Sequence, residues 1–467
     1  MSKGAASFLS QAGARLPPIK TPFTSLAQFG QIKSGVTSVQ SRRAFNRNLL
    51  AMASLLALGS AASAEEPVFT SSLTTATPAK TVPPKASGKL ATQTEIVAGQ
   101  DQPPMLSVNS VEYMQGAIAM YEEIVAGGGW QELPARTLKK GAKGEAVIAL
   151  RQRLVAENYL PFDTLQSETA ASYDGEMEEA VRAFQINHGV LPSGIVGEKT
   201  IAQLNIPADT RLGMLRENLP RVEAYAQGLT DRSILVNIPG AQLETEQNGR
   251  VYSRHNIIVG KPERPSPTLA STVSDINFNP YWKIPASIVE RDIVPKYMAD
   301  PSYLQANHIR VFDGVDGPEV DPVFIDWMTT SPERYFFRQE PGSHNSLGSV
   351  KINFSNKYMV FMHDTPHREL FGRNVRLESS GCVGIDQVET VVRWILDTSF
   401  PPLDEQTYQL VRSTTEQLDH KIDNGPDVRW MYLTAWATED GRVNFRPDVY
   451  DIDGTDFIFG QPEPKTY

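Results

Sequence analysis

The sequence predicts an α+β protein in which a small three-helix unit precedes a β-rich domain. Apolar residues recur at helical spacing up to about residue 230, and the spacing turns strand-like from Ser233. Asn248-Gly249 and Asp440-Gly441 then supply hairpin turns inside the second part. A chain of 467 residues has room for about two to four domains. With 40% hydrophobic and 21% charged residues it has the composition of an ordinary globular protein.

Residues 1–64 carry seven Lys or Arg and no Asp or Glu, in a chain of net charge −10, so the remainder carries −17. Within that basic stretch, Ser41-Arg42-Arg43-Ala44-Phe45-Asn46-Arg47 is followed by an apolar run from Leu49 to Leu58 and by Ala62-Ser63-Ala64. This is the layout of a cleaved signal peptide, and the paired arginines before Phe45 resemble a twin-arginine export signal. The apolar run is too short to span ~30 Å of hydrocarbon. An exported chain with no stable membrane span after signal cleavage is therefore expected. Residues 65–105 hold Pro67, Pro78, Pro83, Pro84, Pro103 and Pro104 among Thr, Ser and Ala, which predicts a linker.

Over 106–137, Tyr113, Ala117, Met120, Tyr121 and Ile124 predict a helix. Gly127-Gly128-Gly129 follows it. A phosphate-cradling loop would follow a strand instead, so these glycines are expected to end the helix. Residues 138–206 form the three-helix unit. Val147, Leu150 and Leu154 mark one helix, Met177, Ala180, Val181 and Phe184 a second, and Gly197 to Leu204 a third. Gly141-x-x-Gly144, Tyr173-Asp174-Gly175, Ala180-Val181-x-x-Phe184-Gln185 and Gly194-x-Val196-Gly197-x-x-Thr200 make this unit resemble the peptidoglycan-binding domain type 1 family. That resemblance implies a module that docks on cell-wall peptidoglycan. A helical connector is expected over 207–230.

In the β-rich domain, 231–455, strands are expected at Ile234–Ile238, Arg254–Val259 and Tyr358–His363, with a hairpin joining Leu433–Trp436 to Val443–Phe445. Val388, Val391, Val392 and Ile395 predict a helix over Gln387–Leu396, with Asp386 as its N-cap. Residues 456–467 read as a short tail.

Cys382 is the only cysteine, so intramolecular disulfides and thiolate-rich zinc sites are excluded. The acidic balance argues against general nucleic-acid binding, which needs clustered basic charge. An unpaired thiol in an oxidising compartment asks for a reason. Its setting, Ser379-Ser380-Gly381-Cys382, is small and polar like a turn, and a helix N-terminus close by would favour the thiolate. His363, at the end of its expected strand, is the candidate base, with His344 a weaker one. A metal pair of His363 and His367 is disfavoured by Pro366 and the lack of a third ligand.

Here the chain resembles the L,D-transpeptidase (YkuD-type) family, in particular its large periplasmic members that carry a peptidoglycan-binding module. The family motif is a histidine, a spacer, then Ser or Thr, His, Gly and Cys. This chain has His363, fifteen residues, then Ser379-Ser380-Gly381-Cys382. Asn279-Pro280-Tyr281-Trp282-Lys283-Ile284-Pro285, His363-Asp364-Thr365-Pro366, Leu370-Phe371, Arg376-x-x-Ser379, Val259-Gly260-Lys261-Pro262 and Thr434-Ala435-Trp436 extend the match. The resemblance implies peptidoglycan stem peptides as partners, Cys382 as nucleophile and His363 as base, and no metal or other cofactor. It implies 3→3 cross-links made through a cysteine thioester. Backbone amides near Gly381 and Cys382 would hold the oxyanion, Ser380 stands in the motif where its second histidine is usual, a change associated with the large members, and Arg376, Ser379, Phe361 and Trp282 are candidate substrate contacts. Two departures stand out. Gly384 occupies a position that is usually Arg, or Asn in shorter members, and Phe361 one that is often Tyr. Arg373 and Arg376 are the candidates to compensate. A catalytically weakened wall-binding scaffold and hydrolysis of the thioester by water are the competing readings.

Overall fold

The computed structural model describes residues 95, 96 and 102–460. The export segment expected at 1–64 and most of the linker expected at 65–105 lie outside the described residues.

Helix α1 (Ser110–Ala126) buries Met114, Ala117, Met120, Tyr121 and Ile124 on one face. It stops at the glycines: Gly127 N–H returns to Glu123 O, and Gly128 turns with φ +94°. The three expected helices follow as α2 (Glu145–Ala156), α3 (Gly175–Asn187) and α4 (Glu198–Leu204). Val147, Leu150, Leu154, Met177, Val181 and Phe184 close one core between them. Asp174 explains part of the motif, because its Oδ1 accepts the Met177 N–H at 2.9 Å and caps α3. The connector is a single long helix, α5 (Ala208–Ala226), which reaches the β-rich domain through Asn218 Nδ2 to Thr434 Oγ1 at 2.8 Å.

The strands are β1 (Glu95–Ile96), β2 (Arg232–Asn237), β3 (Gln242–Gln247), β4 (Arg250–Gly260), β5 (Leu269–Phe278), β6 (Trp282–Ile284), β7 (Ile309–Phe312) and β8 (Phe336–Gln339). They continue as β9 (Val350–Phe354), β10 (Met362–His363), β11 (Leu377–Ser379), β12 (Val383–Ile385), β13 (Leu418–Lys421), β14 (Asp427–Met431), β15 (Ala435–Ala437) and β16 (Val443–Phe445). The main sheet runs β1-β4-β12-β10-β9-β5-β14-β2-β3, with β11 on β4 and β13 on β5. Because β3 also pairs with β4, the path from β4 round to β3 closes on itself. Ile234, Ile257, Ile276, Ile352, Met362, Ile385 and Trp430 fill the interior, joined by Val391, Val392 and Ile395 of α6 (Val388–Leu396). At ~1.5–3 kcal/mol per fully buried aliphatic side chain, this apolar interior is what keeps non-neighbouring chain segments paired.

Between β5 and β9 the chain inserts a second, three-stranded sheet, β6-β8-β7, over its own core of Ile284, Val289, Ile293, Tyr297 and Phe337. Both expected hairpins form. Asn248 and Gly249 adopt φ +54° and +75°, and β15 pairs with β16 across the Gly441 turn.

The expected strand Tyr358–His363 shrinks to Met362–His363. Met359 takes φ +57°, and the Asn356 carboxamide replaces sheet partners by accepting from Tyr358 N–H and Val360 N–H, each at 3.1 Å. Asp386 does not cap α6. Gln387 takes the N-cap position, in a left-handed conformation and with no side-chain capping bond, while the Asp386 backbone pairs with Asn256 and His255 of β4. The segments expected as linker and tail both have docked ends. Met105 N–H donates to Glu244 Oε2 at 2.8 Å, and Phe457 O accepts from Arg221 Nε at 3.0 Å.

Candidate active site

The parallel pairing of β10 with β12 builds the site. It sets Met362 against Val383 and His363 against Gly384. Cys382 immediately precedes β12 and therefore lies beside Phe361, whose carbonyl accepts the Val383 N–H at 3.1 Å. On the other side of β10, His363 is paired with Lys351 of β9. Three adjacent strands thus bring a thiol, an imidazole and an ammonium into one neighbourhood.

The turn that carries the thiol is held by its own hydroxyls. Gly381 N–H donates to Ser379 Oγ at 3.1 Å, and Ser379 Oγ donates to Cys382 O at 2.6 Å. Gly381 sits at φ +112°, which favours glycine there. Ser266 Oγ donates to Gly381 O at 2.8 Å, and Tyr450 OH donates to Gly260 O at 2.7 Å while accepting Ser266 N–H at 3.1 Å. Ser380 Oγ accepts from Arg264 Nη1 at 2.9 Å, and the same guanidinium pairs with Asp292 at 2.5 Å. Since Asp292 belongs to the inserted segment, one arginine ties that segment to the turn. The Cys382 N–H has no hydrogen-bond partner among the described residues.

The expected helix N-terminus is not next to the thiol. A three-residue strand separates Cys382 from α6. Burial dominates instead and pushes the Cys382 thiol up to about 11, with a Phe361 backbone hydrogen bond and the Lys351 charge working in the opposite direction. His363 moves the other way, because burial lowers its pKa. Its Nδ1 lies 2.5 Å from the Asp364 carbonyl oxygen. Donation of the Nδ1 proton to that carbonyl leaves Nε2 as the basic nitrogen. The Asp364 carboxylate is fixed by Ser349 N–H at 3.0 Å and Arg368 Nη2 at 3.0 Å. A Cβ at Gly348, itself at φ +59°, would come within 2.5 Å of that carboxylate. Burial thus favours the uncharged form of both groups, the thiol and the imidazole.

The other sequence candidates separate into near and far. Phe361 is at the site, its ring 5.8 Å from that of His363. Ser379, Ser380 and Gly381 form the turn. Arg376 clasps three carbonyls, Ile257 O at 3.0 Å, Arg373 O at 2.7 Å and Ala241 O at 2.8 Å, so it joins β11 to the closed sheet. Arg373 pairs with Glu378 at 2.9 Å. Trp282 packs against the core of the inserted sheet. His344 stacks on His308 with ring centroids 3.7 Å apart, and the exposed His367 lies 3.6 Å from Glu369. Among the described residues, no three or more His, Cys, Asp or Glu gather as a metal site, and no helix is long and apolar enough to cross a membrane. Lys351, Arg264, Ser266 and Tyr450 were not anticipated. The strand alternation of Lys351 with Asn353 was the signal for the first, the Val259–Pro267 stretch for Arg264 and Ser266, and Tyr450 had none.

Residues 231–410 match the family model described as "L,D-transpeptidase catalytic domain". The β-rich part is an L,D-transpeptidase-family domain. Residues 143–204 match the model described as "Putative peptidoglycan binding domain", which is the three-helix unit. A "Putative L,D-transpeptidase" of Haemophilus influenzae is 30% identical over 220 residues, which is 47% of this chain and 44% of that protein. The match thus spans less than half the length of that relative. A solved L,D-transpeptidase from Xylanimonas cellulosilytica aligns at 16% identity and TM-score 0.22, over 64% of this chain and 98% of that one. One from Mycobacterium smegmatis aligns at 10% and 0.23, over 43% and 58%. Superpositions this loose add nothing to the family match. In the L,D-transpeptidase-family domain, the motif His363…Ser379-Ser380-Gly381-Cys382 falls on the last residue of β10, the end of β11 and the turn that leads into β12.

Proposed function

We propose that this chain is an exported, periplasmic peptidoglycan L,D-transpeptidase that works through a thioester on Cys382. The observation that supports the reading is the β10–β12 register, in which His363 pairs with Gly384, two residues after Cys382 and one strand away from it. As the Cys382 sulfur attacks the carbonyl on the L-side of a diaminopimelate–D-Ala bond, its proton passes to His363 Nε2. The S–C bond forms, the C–N bond breaks, and the same proton leaves on the D-Ala amine. An amine of a second stem peptide then attacks the thioester. Its C–N bond replaces the C–S bond, a 3→3 cross-link results, and the amine proton returns to sulfur through His363. The Cys382 N–H is the amide of the turn left to meet the oxyanion, because Gly381 N–H is engaged by Ser379. The three-helix unit would hold the domain on the wall.

Activation in the course of the reaction fits a pair whose uncharged forms burial favours. A buried thiol gains little from ionising alone, whereas a base beside it removes the proton as the S–C bond forms. In the family a carbapenem acylates the cysteine. Carbapenem treatment followed by intact-mass analysis is expected to show one adduct on the wild type and none on Cys382→Ala. An unmodified wild type with unchanged muropeptides would leave the scaffold reading. Muropeptides trimmed but not cross-linked would mean that water is the acceptor.

A further inference from the structure

Lys351 lies on β9, whose alternate residues Val350, Ile352 and Phe354 are buried in the closed sheet. Lys351 and Asn353 therefore share the opposite face. Across β10 Lys351 is paired with His363, and across β5 with Asn277. Its Nζ rests 4.3 Å from the centroid of the Phe361 ring, a cation–π contact, and that ring is in turn edge-on to His363. Lys351 makes no ion pair among the described residues. The nearby carboxylates are otherwise engaged: Asp275 accepts from Asn353 at 2.6 Å, and Asp419 from Asn277 at 2.7 Å. A half-buried ammonium is thus fixed by an aromatic ring one residue before the Cys382 side of β10.

We propose that Lys351 is the fixed cation of this site, held on the Phe361 ring so that its charge stabilises the Cys382 thiolate as it forms. The inference deepens the transpeptidase reading, since it concerns the same sulfur. Gly384 contributes no charge, and Arg376 is spent on three carbonyls, so Lys351 supplies the positive field from the adjacent strand. Burial lowers the Lys351 pKa; Cys382, then Asp275 and Asp419, favour its charge, and Lys283 opposes it. The remaining charges facing the site are Asp364 behind His363 and the Arg264–Asp292 pair reached through Ser380. The same charge adds to burial in disfavouring protonation of His363 while it favours the anion.

The test uses the chain as it exists and does not depend on any acyl transfer. Alkylation of the single cysteine by iodoacetamide is followed by intact mass across pH in the wild type, Lys351→Met and Lys351→Arg. Lys351→Met is expected to move the alkaline limb to higher pH. At fixed pH, alkylation should slow roughly threefold for each unit the thiol rises, because greater thiolate nucleophilicity recovers part of the tenfold loss of thiolate. Lys351→Arg should stay close to wild type. Lys351→Gln serves as the neutral variant if Lys351→Met loses the wild-type melting transition. A limb that does not move in a folded neutral variant overturns the proposal. A limb that moves in a protein no carbapenem acylates leaves the proposal standing and removes the transpeptidase reading.

Discussion

Around Glu157 the buried charges meet opposite charges; around Cys382 they do not. Glu157, nearly inaccessible between α2 and α3, meets Arg153 at 2.5 Å, the Tyr121 hydroxyl, and His188 Nε2 at 3.8 Å. Arg153 also lies 3.5 Å over the Trp130 ring, and His188 stacks 3.8 Å from Phe184. At the sheet, Lys351 has an aromatic ring but no carboxylate, and the thiol and imidazole are both held uncharged. Glu157 is met from three sides, although Arg153 Nη2 and His188 Nε2 make no hydrogen bond; such packing of charge against charge makes a joint, while buried groups held uncharged make a place where charge can be created. The first cluster joins the three-helix unit to the rest of the chain, through Phe445 at 5.4 Å from the His188 ring. The second has the character of a reaction site.

This contrast can be broken from either side. After loss of the adduct in Cys382→Ala, the largest effect is expected from His363→Gln, which keeps the thiol but removes the base. Carbapenem acylation should fall by roughly 10²–10⁴-fold. In the wild type, the acid limb of that acylation should have its midpoint below the ordinary histidine value of 6.5, because burial holds His363 neutral there. A midpoint at or above 6.5 would place the base elsewhere.

Next comes Glu157→Ala, which leaves Arg153 buried without its carboxylate. It should cost about 3–5 kcal/mol of stability, read by thermal or denaturant unfolding, while the alkylation rate of Cys382 in the folded protein stays unchanged. The same cluster sets an acid dependence. For Glu157, burial alone would raise the pKa, but Arg153 and then His188 bring it down to about 2. Burial brings His188 down to about 3. Both folded-state values lie below the unfolded ones. The Glu157 contribution is therefore present above its unfolded value and is lost as pH falls towards about 2. The His188 contribution begins to be lost once the unfolded histidine protonates near 6.5, and the loss ends near 3. Unfolding midpoints measured from pH 7 down to 3 should fall steadily, and a flat profile would contradict this account of the cluster.

The smallest effect is expected at Gly384. A Cβ there would stand 3.6 Å from Ile258 and 3.8 Å from Thr365, which is ordinary contact, at a backbone conformation open to any residue. Gly384→Ala should change stability by less than about 0.5 kcal/mol. It should leave the alkylation profile alone, since the cation of the site is on β9.

Much of this was legible in the sequence, and the part that was not has physical reasons. The helices α1 to α4 follow apolar spacing, and Asn248-Gly249 marked its turn because few dipeptides accept two positive φ angles. Cys382 and His363 were legible as chemistry. Their juxtaposition depends on a parallel pair formed across nineteen residues, and local periodicity does not encode such pairing. Asp386 was misjudged as a cap because Gln387 accepts a left-handed conformation that its side chain does not advertise. The thiol was expected to be acidic because a helix follows it. Desolvation, which depends on the whole closed sheet, reverses that direction. Lys351 looked like the polar half of an alternating strand, and only the register with His363 gives it a further meaning.

The raised thiol has a consequence for the life of the chain before and after folding. In an unfolded chain the cysteine would ionise near its ordinary value, and part of it would be open to any passing oxidant or disulfide. Closing the sheet lifts it to about 11. Folding therefore shields this sulfur from chance oxidation, and the interval of greatest vulnerability is the one before β10 and β12 have met.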